Sequence, residues 1–265
     1  MLAAVRSELV RLRRPRLLIG WFGLMALFAM LVNTVMFGTA SSGTALPPGA
    51  PGVSFPDAAT LAGPDGLMAG LAAASSMFGI VTLSFWALAS ATDYSSGLIR
   101  LLVAAEPHRW RLLAGKVFAL MLVTAVATTV ATIVNVMAAV PAAQAAGIAT
   151  DAWMSDPVVS IVSAWLDAYV ALFIWGVLGL ALAVLTRSAA VAISIGVGYV
   201  LVVESIVKLG VGGDADWLLG STLNALAAGG TTTVAFGTAL ALAAVYVIIG
   251  LGAATLVFVR RDVTD

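Results

Sequence analysis

The stretch VFALMLVTAVATTVATIVNVMAAV, residues 117–140, holds no charged side chain and a single amide, Asn135. As a helix rising 1.5 Å per residue it reaches about 36 Å, enough to cross a ~30 Å hydrocarbon core. Five other stretches read the same way: Leu17–Phe37, Leu67–Ser90, Val158–Leu185, Ala189–Val207 and Thr233–Val259. All six are free of Lys and Arg. Buried helices of water-soluble proteins are rarely this long and this apolar six times over. The pattern predicts an all-α membrane protein with six transmembrane helices.

Composition points the same way. Of 265 residues, 62% are hydrophobic and 10% charged, with mean hydropathy +1.08. Soluble domains carry about 25% charged residues, so this chain has too little charge to cover a water-facing surface. No cysteine is present, which removes disulfide and thiol chemistry. The single histidine, His108, excludes a His-based metal cluster. The loops leave no room for a second, soluble domain, so residues 1–265 read as one transmembrane domain. The first apolar run is too long for a signal peptide and lacks a convincing cleavage pattern, so it reads as a retained span.

The formal net charge of +0 conceals a strong asymmetry. Arg6, Arg11, Arg13, Arg14 and Arg16 precede the first span; Arg100, Arg109, Arg111 and Lys116 lie between the second and third. Arg187 lies between the fourth and fifth, and Arg260 and Arg261 follow the sixth. With six spans, twelve of the thirteen Lys and Arg residues share one side, and only Lys208 lies elsewhere. The opposite connections hold Asp57, Asp65, Asp151, Asp156, Asp214 and Asp216 and no Arg. Basic loops stay in the cytoplasm, which predicts both termini there, in a multi-pass protein of the cell (inner) membrane.

Between the spans, residues 1–16 place Leu2, Val5, Leu9 and Leu12 or Val10 at helical spacing, with Arg6, Arg13 and Arg14 on other faces. This predicts an amphipathic interfacial helix with its apolar face in the lipid boundary. Residues 38–66 are rich in Gly, Pro and Ser and read as an irregular external loop. Residues 141–157 form a second external connection. Residues 210–232 form a third, where Trp217, Leu218, Leu219, Leu223 and Leu226 suit a short re-entrant helix dipping into the outer interface. The tryptophans, Trp21, Trp86, Trp153, Trp165, Trp175 and Trp217, read mostly as an interfacial aromatic belt.

The connection over residues 91–116 reads ATDYSSGLIRLLVAAEPHRWRLLAGK. Leu98, Leu101 and Leu102 share one helical face, Arg100 lies on another, and Pro107 breaks the run. By spacing alone this is either a solvated loop with interfacial arginines or a short helix able to dock into a groove on a partner. An acid followed by Gly-x-x-Arg, a Leu pair, Pro-x-Arg and a Gly-Lys opening the next helix resembles the cytoplasmic signature of ABC transporter permeases of the type-two (exporter) class. The matching residues are Asp93, Tyr94, Gly97, Arg100, Leu101, Leu102, Pro107, Arg109, Gly115 and Lys116. The basic N-terminal helix, six spans, the dip before the sixth span and the basic exit fit the same family along the whole chain. Asp93 stands where many members carry Glu. The resemblance implies that residues 91–111 form a coupling loop contacting a separate ATPase subunit, present in two copies and holding ATP and magnesium. It also implies a second permease subunit, identical or different, beside this one in the lipid. It implies export, or efflux, of a compound that is preferably amphipathic or hydrophobic.

Gly115-Lys116 is not itself a nucleotide site, since Val117 follows it and the spaced upstream glycine of a phosphate-cradling loop is missing. No catalytic, metal-binding or cofactor-binding residues are read from the chain, and nothing in it suggests nucleic acid. The polar residues within the spans are Asn33, Asn135, Asp167, Glu204 and, one turn beyond Glu204, Lys208. Ionisable groups in hydrocarbon are costly and point to function by default. They can equally be interhelical glue. The five together predict a polar layer in the outer half of the bundle, facing the substrate or cross-linking helices. Two other functions compete with the permease: a non-transporting membrane anchor or assembly protein, and an intramembrane enzyme, for which Asp167 is the one carboxylate well inside a span.

Overall fold

The computed structural model describes residues 2–42, 55–98, 101–102, 109–211 and 215–260. Among these residues the structure is helical, with no strand. Helix α1 (Leu2–Leu12) leads through a tight corner into α2 (Pro15–Ser42), the first span. Pro15 is tolerated in the first turn, where its missing N–H has no intrahelical partner to lose. A short α3 (Ala58–Leu61) is capped by Asp57, whose carboxylate accepts from the Thr60 amide at 2.8 Å. Bonds from the Thr60 side chain and backbone hold the Asp57 carboxyl below its ordinary range.

The second apolar run is interrupted. A 3₁₀ turn (Pro64–Met68) and α4 (Ala69–Ala73) precede the span proper, α5 (Ser75–Ser95). The unbroken run expected from Leu67 onward is thus divided at Ala74. The division frees Ser75 and Ser76, whose hydroxyls donate to another segment of the chain. The third span, α6 (Arg109–Ala146), is longer than its apolar core and runs on through Pro141. Pro141 removes only the amide that would serve the Met137 carbonyl, and Met137 is exposed. At 38 residues α6 spans about 57 Å and projects beyond the hydrocarbon. The fourth span, α7 (Pro157–Thr186), ends at Arg187, which takes the left-handed conformation at φ 55°. The fifth is composite: α8 (Ala189–Gly198), a π turn (Tyr199–Val203) and α9 (Glu204–Val211). Then come α10 (Leu219–Ala227) and the sixth span, α11 (Phe236–Arg260). That span starts after the expected Thr233 because Thr231 and Val234 close a turn, the Thr231 amide donating to the Val234 carbonyl at 2.8 Å.

Among the described residues six helices are therefore long and apolar enough to cross a membrane, and the chain is a multi-pass membrane protein. Helices α5 and α7 are the most enclosed and α11 the least. Helix α5 packs on α7; α2 and α1 pack on α6; α11 lies against α7.

The centre is an interlock of glycine and tryptophan. A Cβ on Gly176 of α7 would lie 2.3 Å from the Trp86 ring of α5. A Cβ on Gly79 of α5 would lie 2.3 Å from the Trp175 indole nitrogen of α7. One on Gly179 would lie 2.2 Å from the Leu83 carbonyl oxygen, so the two backbones touch there. Small residues permit such approach where no hydrophobic effect drives helices together. Trp86 also donates to the Thr124 hydroxyl at 3.0 Å and so reaches α6. Trp21, Trp86, Trp153 and Trp175 are all buried, and Trp153 donates to the Leu61 carbonyl at 2.9 Å. The aromatic-belt reading fails for these four: Trp86, Trp175 and Trp153 fill the spaces at Gly176, Gly79 and Gly66, and Trp21 stacks on Phe85 with ring centroids 3.9 Å apart. Trp217 and Trp110 are exposed.

Helix α1 also differs from expectation. Leu12 is buried and Val5 and Leu9 pack on the core, while Arg6, Val10, Arg13 and Arg14 are exposed. Its apolar face meets protein, because the long α6 offers an apolar wall beyond the point where lipid would end.

The central interlock is testable. Gly179→Ala forces one backbone away from the other and is expected to cost about 1–3 kcal/mol. Gly237→Ala on α11, with nothing within 4 Å of the new methyl, is expected to be neutral. Thermal unfolding of the two variants in neutral detergent checks this.

Candidate functional site

Two polar assemblies are candidates, one at each end of the bundle.

The first lies at the basic end. Asp93, in the last turn of α5, is 7% exposed, and Glu8 of α1 is 4% exposed. Lys116 of α6 lies between them, 2.7 Å from Asp93 Oδ2 and 3.1 Å from Glu8 Oε2. Arg11 pairs with Glu8 on its own helix and reaches Asp93 Oδ1 at 3.4 Å. Two acids and two bases thus neutralise one another and tie three helices together. Burial strengthens each attraction but removes water from all four, so the set holds only while complete.

This changes the reading of the signature residues. Asp93 and Lys116, at opposite ends of the connection in sequence, are paired and face inward. Gly97, one residue beyond Ser96, the C-cap of α5, has φ +70° and donates to the Tyr94 carbonyl at 3.1 Å. That conformation favours glycine and turns the chain out of the helix. Tyr94 packs against the core. Leu98, Leu101 and Leu102 are helical, and Leu101 is 69% exposed. Arg100, Pro107 and His108 lie outside the described residues, and of Arg109 only the backbone is described. Glu8 escaped the sequence reading. Its signal was present: a lone acid on the apolar face of a helix otherwise charged only with arginine.

At the opposite end the five polar residues form three separate groups, not one layer. Asn33 of α2 donates to Asn135 Oδ1 of α6 at 2.8 Å, and Asn135 donates to the Leu67 carbonyl at 3.0 Å. Both amides are fully buried. Gly70 closes the site, since a Cβ there would lie 2.4 Å from Asn33 Oδ1. This pair is a cross-link between spans.

Glu204 is 2% exposed. Its carboxylate accepts the Gly220 amide and lies against the Ser221 amide, both in the first turn of α10. It therefore caps a helix that its own side chain at Leu218 cannot cap. An acid at a helix N-terminus satisfies unpaired amides and complements the helix dipole. The π turn directly before Glu204 adds a residue to the helical turn. Lys208 lies 3.8 Å away and is 40% exposed, a secondary partner. Tyr246 of α11 donates to the Trp217 carbonyl beside the same end. Along α10, Asn224 accepts the hydroxyls of Ser75 and Ser76, each at 2.8 Å.

Asp167 stands apart. It is half-buried on α7, and a Cβ on Gly229 would lie 3.1 Å from its Oδ2. It thus faces the turn that ends α10. Among the described residues it has no hydrogen-bond or ion-pair partner. A helix C-terminus is electronegative, so this is a poor location for a carboxylate.

Both assemblies give measurable expectations. Removing one member of the buried charge set leaves a base or acid uncompensated. Glu8→Gln or Lys116→Met alone is expected to lose roughly 3 kcal/mol, while the double variant recovers at least half. Melting temperatures of the three variants in detergent check the pattern; additive losses would contradict it. At the other end, Glu204→Ala is expected to cost about 1–2 kcal/mol as a lost cap. Glu204→Gln keeps an acceptor and costs less, and Lys208→Met costs least. The order of the three melting temperatures decides whether Gly220 or Lys208 is the main partner.

No curated protein and no solved structure matches the chain. Residues 26–264, nearly all of it, match the model of a family described as protein of unknown function (DUF2705), and the chain belongs to that family.

Proposed function

We propose that this chain is the transmembrane permease subunit of an ATP-driven exporter in the cytoplasmic membrane. Its basic end lies in the cytoplasm, and it works with two copies of a separate ATPase subunit and a second permease subunit. The observation that carries the reading is the 2.7 Å Asp93–Lys116 ion pair. It clamps the two ends of the 94–115 connection to the bundle, with Arg11 and Glu8 as buttress. A force applied to that connection would reach the spans without being absorbed by a slack hinge. Gly97 turns the chain outward, and exposed Leu101 gives the segment an apolar contact for a partner. The likeness of Gly97, Arg100, Leu101, Leu102, Pro107 and Arg109 to the exporter signature supports the same reading. ATP and magnesium would belong to the partner.

The translocation route on this reading passes Asp167. Its carboxylate is the one acid within a span that the fold leaves unpartnered among the described residues. Intramembrane acids held without structural partners point to function. Asn33, Asn135 and Glu204 are occupied by structural bonds.

The test is co-purification with the ATPase subunit. Gly97→Pro combined with Arg100→Glu is expected to lower the ATPase recovered with the tagged chain at least tenfold, with membrane insertion unchanged. Undiminished recovery overturns the coupling role of this connection.

A further inference from the structure

Helix α1 uses its apolar face against α6, so its outward face is what it offers to the surroundings. That face and the corner that follows carry Arg6, Arg13, Arg14 and Arg16, all exposed. None of the four makes an ion pair among the described residues. The only described acids at this end, Glu8 and Asp93, are buried and neutralised by Arg11 and Lys116. Among the described residues, the outward-facing charge of the corner is therefore wholly positive.

Depth selects the partner. Arg14 and Arg16 flank Pro15, and the apolar span starts at Leu17. At 1.5 Å per residue, Arg13 to Arg16 lie within about 6 Å of the hydrocarbon edge. Ile19, three residues past Arg16, is 70% exposed, as a lipid-facing residue is. Exposed Trp110 at the start of α6, which packs on α1, suits the same headgroup level. We infer that the outward face of α1 and its corner with α2 bind the headgroups of anionic phospholipids. This inference does not depend on the transport reading.

The experiment uses the full chain in neutral detergent, with added short-chain phosphatidylglycerol or phosphatidylcholine of equal chain length. Binding is read from the thermal shift on titration at low and raised salt. The wild type is expected to prefer phosphatidylglycerol, and raised salt to weaken the preference. Each basic residue near an anionic surface is worth roughly a factor of five, so Arg13→Gln, Arg14→Gln and Arg16→Gln together are expected to weaken phosphatidylglycerol binding roughly a hundred-fold. The same three positions changed to Lys are expected to keep the preference. If the triple Gln variant fails to fold, Arg13→Gln and Arg16→Gln singly are expected each to lower affinity about five-fold. Equal affinity of wild type and Gln variants, or loss of preference in the Lys variant, overturns the inference. Competition by inorganic phosphate at matching concentration would assign the site to free anions and overturn the lipid source. A Gln variant that keeps the lipid preference but loses the ATPase would assign these arginines to a partner protein and overturn it too.

Discussion

In hydrocarbon a polar side chain has no water to fall back on, so each must be satisfied within the protein. Much of this bundle's architecture follows from that constraint. Asn33 and Asn135 satisfy each other across α2 and α6. Ser75 and Ser76 donate to Asn224, and Glu204 takes up amides that α10 would otherwise expose. Each bond joins two different helices. The helices supply apolar bulk, but these few polar contacts fix which helix lies beside which and at what height.

Helix α5 is held most completely. Its N-terminal end is bonded to α10 through Ser75 and Ser76. Its middle is locked to α7, where Trp86 fills the space at Gly176 and Gly79 accommodates Trp175. Its basic end is anchored by Asp93 to Lys116 and Arg11. A segment fixed at both ends and at its centre moves as a rod or not at all. On the proposed coupling reading, displacing the connection beyond Gly97 would shift α10 at the far side, because dense packing and short bonds do not deform continuously.

The six spans were legible in the sequence because length and apolarity suffice to recognise them. Their partners were not. Nothing local distinguishes Gly79 and Gly176, which admit tryptophan rings, from Gly237, which meets nothing. Four of the tryptophans, Trp21, Trp86, Trp153 and Trp175, were misread for a like reason: an indole suits an interface and a packed interior equally well. The i, i+4 spacing of Glu204 and Lys208 was legible, and they do approach. Yet the stronger partner of Glu204, the Gly220 amide, lies sixteen residues on, across residues whose spacing gives no register. The charge set at the basic end needed Glu8 to be seen, and its four members come from three segments. Spacing rules reach one turn along a helix; these contacts reach across the fold.

Glu204 and Asp167 show how burial of a carboxylate takes two meanings. Both are acids near α10, one at each end. Glu204 meets the electropositive end and receives the Gly220 amide, so its carboxyl oxygens serve the fold. Asp167 faces the electronegative end beyond Gly229 and receives no such bonds among the described residues. An uncharged residue of similar size would fit there at lower cost, so folding alone gives no reason for an acid. On the proposed transport reading, the reason is a polar or cationic group that meets Asp167 from outside the chain's own structure as it passes along α7. The same argument applied to Glu204 ends at Gly220. On that reading the proposed route runs past the C-terminal end of α10, not its N-terminal end.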